Sequence, residues 1–250
     1  VYRATEGDCA SLDFDLGHEV PLDMDATVNA VKDADVIIFA GGISPQLEGE
    51  EMPVRIPGFH GGDRDIIELP EVQTGLLERL KSLGKPLIMV NYSGSALALT
   101  KESELCDAVL QAWYPGQAGG EAVAETLLGE YNPAGRLPIT FYNSENDLPD
   151  FGDYNMAGHT YRYYDGQPLF AFGEGLGYTT FAYSDERVEV ADGRVVLRAK
   201  VTNTGVRTGT EVVQAYVRAP KEAGDRRLHH LEGFQRVSLK PGEKKTVTIK

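Results

Sequence analysis

Cysteine and basic residues are scarce in this sequence of 250 residues. Only two cysteines occur, Cys9 and Cys106, and neither lies in a Cys-x-x-Cys pair or a cysteine–histidine cluster. This scarcity argues against a disulfide scaffold and against a structural zinc site. Lysine and arginine number 24 against 38 acidic residues, so the formal net charge is -14. We expect no nucleic-acid partner, because too little positive charge is available to neutralise a phosphate backbone.

Long apolar runs are also missing. No stretch approaches the roughly 18 apolar residues of a membrane helix, so no membrane partner is expected. The five histidines lack the spacing of metal ligands, and no Gly-x-Ser-x-Gly elbow surrounds Ser93 or Ser95. We therefore expect no metal, no cofactor and no serine-hydrolase chemistry. Residue 1 is valine rather than methionine, and residues 246–250 have a strand pattern, so we expect an internal piece of a longer protein.

The first two thirds of the chain alternate between helical and strand patterns. Hydrophobic residues make up 42% of the sequence, which is enough for sizeable cores. Helical spacing and short apolar runs give the following predicted elements. Helices are predicted at 26–34, 70–83 and 121–128, and strands at 35–40, 86–90, 108–113 and 137–141. Strands that alternate with helices indicate a mostly parallel α/β sheet.

The pattern changes towards the end of the chain. Residues 143–180 lack periodicity and are rich in aromatic residues, which predicts a long ordered linker. Beyond them, largely period-two segments predict strands at 188–190, 195–201, 212–217 and 246–249. We expect an α/β sandwich domain with linker over residues 1–178 and an incomplete β-sandwich over residues 179–250.

Three carboxylates crowd the loop after the first predicted strand: Glu48, Glu50 and Glu51. Ligands bind at the carboxyl ends of the strands in open α/β sheets. Carboxylates that lie close together and are partly buried favour protonation of one of them, as a general acid requires. From residue types alone, a solvated acidic loop is the favoured interpretation of the segment, because most loops do no chemistry.

Several segments match, in the same order, the motifs of one enzyme family. Residues 42–50, Gly-Ile-Ser-Pro-Gln-Leu-Glu-Gly-Glu, resemble the Gly-Leu-Asp-x-Thr-x-Glu-x-Glu loop of β-xylosidases of glycoside hydrolase family three. Asp63 and Arg64 resemble the Asp-Arg pair that follows that loop. Further signature-like segments lie at 106–120, 132–138 and 168–181, and segments resembling the family's fibronectin type III-like module lie at 201–205 and 231–234.

The resemblance implies an exo-acting retaining β-glycosidase, a β-xylosidase or a β-glucosidase, that acts on a β-linked oligosaccharide or glycoside. Two carboxyl groups carry out that reaction. The family's nucleophilic aspartate lies in an N-terminal (β/α)8 barrel, which residues 1–250 do not contain. We expect this chain to supply the acid/base to a site shared with that barrel, and to be inactive without it. The loop match assigns this role to Glu50, with Glu48 as competitor because residues 47–49 also fit the Ser-Gly-Glu-Gly segment of family β-glucosidases.

The sequence departs from the family pattern at two places. Residues 53–61 lengthen the loop before Asp63, and Glu174 stands where the family often has tyrosine. Asp63 and Arg64 are expected to fix the loop through charged hydrogen bonds rather than to act in catalysis. The resemblance favours a periplasmic or extracellular location, while the sugar that is cleaved stays undetermined.

Two other functions compete with the glycosidase. In the first, the chain is a non-catalytic carbohydrate-binding or assembly module whose acidic loop contacts a ligand without proton transfer. In the second, it binds a nucleotide, which is disfavoured because residues 116–121 lack the Gly-x-Gly-x-x-Gly spacing of a phosphate-binding turn. Trp113 and Tyr114 follow a buried strand, so we expect them in a core or an interface rather than stacked on a sugar.

Overall fold

The computed structural model describes residues 22–45, 47–48, 51, 54–191, 193–218, 220, 224 and 226–250. The chain forms two compact units. Of the described residues, the first unit contains those up to 116 together with 142–147, and the second contains those of 117–141 and of 148–250.

The first unit is built around a parallel sheet. Its elements are α1 (Met24–Val31), β1 (Ile37–Gly42), β2 (Arg55–Ile56), β3 (Phe59–His60), β4 (Asp63–Arg64), α2 (Glu71–Lys81), β5 (Leu87–Tyr92), α3 (Thr100–Leu105) and β6 (Ala108–Gln111). Strands β1, β5 and β6 pair in parallel in the order β1-β5-β6. The short strands β2, β3 and β4 form a separate antiparallel meander. A 3-10 turn, Glu145–Asp147, completes the unit.

The apolar residues of β5 suit its central position in the sheet. Leu87, Met89 and Val90 are at most 1% exposed, as expected of a strand covered on both faces. Helix α2 buries Leu76, Leu77 and Leu80 at helical spacing. The periodicity of the sequence therefore places one apolar helix face in the core of this unit.

The second unit contains one main helix and two antiparallel sheets. Its elements are α4 (Gly119–Leu128), α5 (Thr160–Tyr163), β7 (Phe181–Ala191), β8 (Arg194–Asn203), β9 (Gly209–Val217), β10 (His230–Leu239) and β11 (Lys244–Ile249). One sheet has the order β11-β8-β7, and the other pairs β10 with β9. Buried apolar side chains from both sheets form one core: Val201, Val213, Val237, Leu239 and Val247. This is a β-sandwich arrangement.

The fold class predicted from the sequence is confirmed: a parallel α/β sheet with helices is followed by antiparallel strands. The predicted helices at 26–34, 70–83 and 121–128 correspond to α1, α2 and α4. The first three predicted strands correspond to β1, β5 and β6, and the predicted β segments lie within β7, β8, β9 and β11. The domain boundary near residue 178 stays a prediction.

The predicted strand at 137–141 is wrong. Only Phe141 makes a β-bridge, to Phe170. Leu137 donates its backbone N–H to Glu174, and Phe141 donates its own to Phe170. Between these two contacts Pro138 has no N–H to donate, so a continuous ladder is not formed. Helices α3 and α5, which are four to six residues long, are further elements that the periodicity did not predict.

Candidate active site

The carboxyl ends of the three parallel strands meet at one edge of the first unit. The pairing of β1 with β5 runs up to Gly42 and Tyr92, and that of β5 with β6 runs up to Asn91 and Gln111. One further backbone hydrogen bond, from Ile43 N to Tyr92 O at 2.9 Å, extends the pairing beyond β1. The carboxylate loop therefore leaves the sheet at the edge where ligands bind in α/β proteins.

Gly42 is the residue at which the chain leaves β1 for this loop. Its φ of 124° lies in a region that side-chain-bearing residues rarely adopt, and a Cβ there would lie 2.0 Å from the carbonyl oxygen of Tyr92. The Gln73 side chain on α2 binds both backbone groups of Gly42, accepting from its N–H at 2.8 Å and donating to its carbonyl at 2.7 Å. The start of the loop is thus held by the helix as well as by the strand.

The loop then turns back on itself and brings Glu48 inward. The backbone N–H groups of Leu47 and Glu48 both donate to the Ser44 carbonyl, at 2.9 and 3.1 Å. Ile43 and Leu47 are buried, at 2% and 7% exposure. These two apolar side chains hold the turn against the unit, so Glu48 is not a freely solvated residue.

Glu48 is bound by side chains from two other parts of the unit. Its Oε1 lies 3.0 Å from Nε of Arg64, which belongs to β4, and accepts a hydrogen bond of 2.5 Å from the Ser95 hydroxyl. The side chains of Glu48 and Arg64 are only 22% and 13% exposed. The pair is therefore largely shielded from water, where charge-assisted contacts are stronger than at the surface.

Tyr114 is the third neighbour of Glu48. Burial raises the pKa of the Tyr114 phenol, and the nearby Glu48 carboxylate raises it further. The phenol donates a hydrogen bond of 3.1 Å to the carbonyl of Ile43, and the ring packs against Gly94, where a Cβ would lie 2.6 Å from it. Tyr114 therefore stays a neutral hydrogen-bond donor that holds the first residue of the loop.

Arg64 is itself held in place. Its Nη2 donates to the carbonyl of Ala96 at 3.1 Å, and its backbone pairs with Phe59 in the β2–β4 meander. Burial lowers the pKa of Arg64, while the negative charge of Glu48 opposes that shift. Its Nη1 is buried and has no hydrogen-bond acceptor among the described residues. Glu48 is thus the carboxylate paired with the guanidinium, and Glu68 contributes further negative charge.

A polar network lies behind this cluster, at the ends of β5 and β6. The buried Asn91 amide donates to Gln111 at 2.6 Å and to the Ser93 hydroxyl at 3.2 Å. Gln111 also donates to Ser93 at 3.0 Å, and Ser93 donates to the backbone carbonyl of Ser95 at 2.8 Å. Hydrogen bonds therefore link the sheet to Ser95, whose hydroxyl binds Glu48. Networks of this kind rigidify their members.

Of the three carboxylates in the predicted loop, Glu48 and Glu51 belong to the described residues. Glu48 lies in the cluster, and Glu51 is exposed with a φ of 49°. Glu50, the predicted acid/base, lies outside the described residues. The expectation that Asp63 and Arg64 fix the loop through charged contacts is confirmed for Arg64, whereas Asp63 is exposed. His60 is exposed.

Sequence reasoning missed Ser95, Gln73 and Tyr114 as residues of this site. A signal for two of them was present: Ser95 and Tyr114 each follow a predicted buried strand, so they lie at the same edge as the carboxylate loop. Gln73 had no such signal, because it projects from the middle of a helix.

No helix within the described residues combines the length and apolar character that crossing a membrane demands. In the same part of the chain, no group of three or more histidine, cysteine or acidic side chains is arranged to hold a metal ion.

Comparison with known proteins identifies two regions of the chain. The Glycosyl hydrolase family 3 C-terminal domain matches residues 14–178, and the Fibronectin type III-like domain matches residues 211–250. A xylan 1,4-beta-xylosidase of Xylanibacter ruminicola is 50% identical, over 96% of this chain and 28% of its own length. A periplasmic beta-glucosidase of Salmonella typhimurium is 38% identical, over 90% of this chain and 30% of its own length.

A solved structure agrees with these relatives. The GH3 beta-glucosidase of Bifidobacterium adolescentis superposes with a TM-score of 0.82 at 30% identity, covering 97% of this chain and 36% of that chain. The chain therefore spans only about a third of the length of the relatives that it matches. The matched domains and the carboxylate loop at the carboxyl edge of the parallel sheet lead to one conclusion: this chain belongs to glycoside hydrolase family 3.

Proposed function

We propose that this chain supplies the acid/base carboxylate, Glu50, to an exo-acting retaining β-glycosidase whose nucleophile lies in an N-terminal barrel. The observation that carries the proposal is the anchoring of Glu48, the carboxylate two residues earlier, by Arg64 and Ser95. A loop that is fixed at this edge of the sheet can present the next carboxylate to a substrate held by another domain.

The contacts of Glu48 favour Glu50 for the role of proton donor. A general acid must point its proton at the leaving oxygen of the substrate. Oε1 of Glu48 is instead occupied by two donors, a guanidinium and a hydroxyl. To act as a proton donor, Glu48 would first have to be protonated, and the largely buried Arg64 would then lose the carboxylate paired with it, which is costly. We therefore assign Glu48 to anchoring and Glu50 to chemistry.

The proposed reaction has two steps. In the first, Glu50 donates a proton to the glycosidic oxygen while an aspartate of the barrel attacks the anomeric carbon and displaces the aglycone. In the second, Glu50 takes a proton from water, and the water oxygen displaces the aspartate from the sugar. Two inversions at one carbon retain the configuration. The 250 residues of this chain provide only one of the two carboxyl groups in this scheme.

The relatives support a xyloside as substrate. The relative with 50% identity is named a xylan 1,4-beta-xylosidase, and that with 38% identity a periplasmic beta-glucosidase. We therefore propose a terminal non-reducing β-linked xylose as the preferred sugar, with glucose as the alternative. Aryl β-xylosides and aryl β-glucosides compared at equal concentration distinguish the two.

The proposal is tested with Glu50→Gln in the full-length protein, which includes the barrel. We expect kcat/KM for xylobiose to fall by about 10²- to 10⁴-fold, because proton donation to a poor leaving group is lost. For 2,4-dinitrophenyl β-xyloside kcat/KM changes little, since that leaving group needs no proton. Azide then restores turnover of 2,4-dinitrophenyl β-xyloside and gives a β-xylosyl azide. It attacks the intermediate without needing the general base that Glu50→Gln removes.

Two matched variants complete the test. Glu51→Gln makes the same chemical change at an exposed residue of the same loop, and we expect wild-type rates for it. Glu48→Gln should slow the reaction without rescue by azide. If azide rescues Glu48→Gln and not Glu50→Gln, the two roles are exchanged. If the wild-type protein binds xylo-oligosaccharides without cleaving either substrate, the chain is a carbohydrate-binding module instead.

A further inference from the structure

We propose that Arg64 is a positioning residue for proton donation: by holding Glu48, it fixes the loop that carries Glu50. This inference rests on the proposed role of Glu50 and adds a second residue to it. Arg64 contacts no reacting atom in this scheme. Its effect passes through the ion pair with Glu48 and through the backbone between Glu48 and Glu50.

Convergence of distant segments on one oxygen atom is the first support. Arg64 comes from the β2–β4 meander and Ser95 from the segment after β5, yet both bind Oε1 of Glu48, at 3.0 and 2.5 Å. The charged pair is mostly buried, with side chains 13% and 22% exposed. Ion pairs at the surface are weak and dispensable, whereas removal of one partner from a buried pair leaves the other charge uncompensated.

The rigidity of Arg64 is the second support. Its Nη2 binds the carbonyl of Ala96, and its backbone is paired with the buried Phe59. Arg64 is therefore held through its backbone and through its guanidinium, independently of Glu48. A planar group with several fixed donors can bind Ala96 and Glu48 together, which the single ammonium of a lysine cannot reproduce.

Chain geometry transmits this restraint to the catalytic position. Two residues of extended chain span at most about 7 Å, so the fixed Glu48 limits where the position two residues later can lie. The other end of the loop is held at Gly42 by Gln73. Displacement of a catalytic group by about 1 Å can lower the rate by about 10²-fold. Loss of the Arg64–Glu48 contact should therefore appear as poor proton donation.

The test measures Arg64→Gln in the full-length protein with two leaving groups. We expect kcat/KM for xylobiose to fall by about 10- to 100-fold, because a misplaced acid protonates the departing oxygen poorly. For 2,4-dinitrophenyl β-xyloside we expect a change of less than about 3-fold, since this aglycone leaves without a proton. Arg64→Lys should recover part of the loss on xylobiose, because it restores the charge but not the fork of donors.

A matched control and a double variant separate this effect from general damage. Arg79→Gln breaks an exposed ion pair with Asp25 in the same unit and should leave both rates unchanged. Glu48→Gln combined with Arg64→Gln should be no worse than the more damaging single variant, because both act through one contact.

The rates of Arg64→Gln are compared with those of Glu50→Gln. If Arg64→Gln lowers the rates on both substrates equally, its role is structural and the inference is overturned. Wild-type rates on both substrates overturn it as well. If Glu50→Gln itself shows no dependence on the leaving group, the proposed acid/base is wrong, whatever Arg64→Gln does. Leaving-group dependence in both variants, with Arg64→Gln the weaker, supports the two proposals.

Discussion

Burial changes the chemistry of one side chain in the first unit, the thiol of Cys106. The thiol is only 8% exposed and makes no disulfide. Burial raises its pKa from 9.0 to about 11, and the neighbouring Glu102 carboxylate adds to the shift. Glu102 is itself 2% exposed and accepts a hydrogen bond of 2.5 Å from Thr74. The sequence predicted no disulfide, but it did not predict an inert thiol.

Cys106 should resist alkylation while the protein is folded. At pH 8 a thiol with a pKa of about 11 is ionised in only about one molecule in a thousand, and the thiolate is the reactive form. In a Cys9→Ser background, which leaves Cys106 as the remaining thiol, we expect iodoacetamide to react only when denaturant unfolds the chain. Mass spectrometry after timed labelling measures the rate. Rapid labelling without denaturant would contradict the expected burial.

The raised pKa also has a consequence for stability against pH. A group whose pKa is higher in the folded state stabilises that state below its unfolded pKa and loses this contribution as the pH rises towards the folded value. Cys106 should therefore stabilise the fold below about pH 9 and lose that contribution progressively up to about pH 11.

Helix α4 shows, at the scale of the element, two glycines with opposite roles. Gly129 ends the helix with a φ of 74°, and its N–H closes the last turn onto the carbonyls of Glu125 and Thr126. A Cβ there would lie 3.1 Å from the Arg207 guanidinium. Gly120 lies in the first turn, and a Cβ at this position would meet no atom within 4 Å. The backbone conformation requires glycine at position 129 but not at position 120.

Alanine substitution at these two glycines should therefore change stability in opposite directions. We expect Gly129→Ala to lower the free energy of unfolding by about 1–2 kcal/mol, because a side chain disfavours the left-handed conformation. Gly120→Ala should raise it by about 0.5 kcal/mol, since alanine costs less conformational entropy in a helix. Urea denaturation followed by circular dichroism measures both. Equal effects would mean that the helix does not end at Gly129 in solution.

At the scale of the whole molecule, the proposed reaction needs more than these 250 residues. A retaining glycosidase uses two carboxyl groups about 5–5.5 Å apart, and this chain is proposed to provide only one of them. The relatives are more than three times as long as the stretch matched here. The proposed activity therefore belongs to the chain together with its barrel.

We expect the isolated chain to hydrolyse aryl β-xylosides no faster than buffer does. The same chain joined to its barrel should be active, and in that protein Glu50→Gln should lower kcat/KM for xylobiose by about 10²- to 10⁴-fold. Initial rates of p-nitrophenol release from both proteins, at equal molar concentration, and of xylose release from xylobiose check this. Hydrolysis by the isolated chain that disappears in Glu50→Gln would contradict the need for a barrel.

The architecture was largely predictable because it depends on local patterns. Short apolar runs and helical spacing predicted β1, β5 and β6 and the helices α1, α2 and α4. The failure at 137–141 has a local cause as well: an apolar run looks like a strand even where Pro138 interrupts the hydrogen-bond ladder. Short helices such as α3 and α5 were missed because four to six residues carry too little periodicity.

Sequence patterns were enough to identify the family, the order of most elements and the edge of the sheet at which the carboxylate loop begins. Each of these follows from neighbouring residues or from motifs in a fixed order. The positions of Arg64, Ser95 and Tyr114 around Glu48 follow instead from the tertiary fold. Ser95 lies 47 residues from Glu48 along the chain, and its hydroxyl reaches that carboxylate because β1 and β5 are parallel neighbours. Such contacts depend on strand order and side-chain packing, which no local pattern encodes.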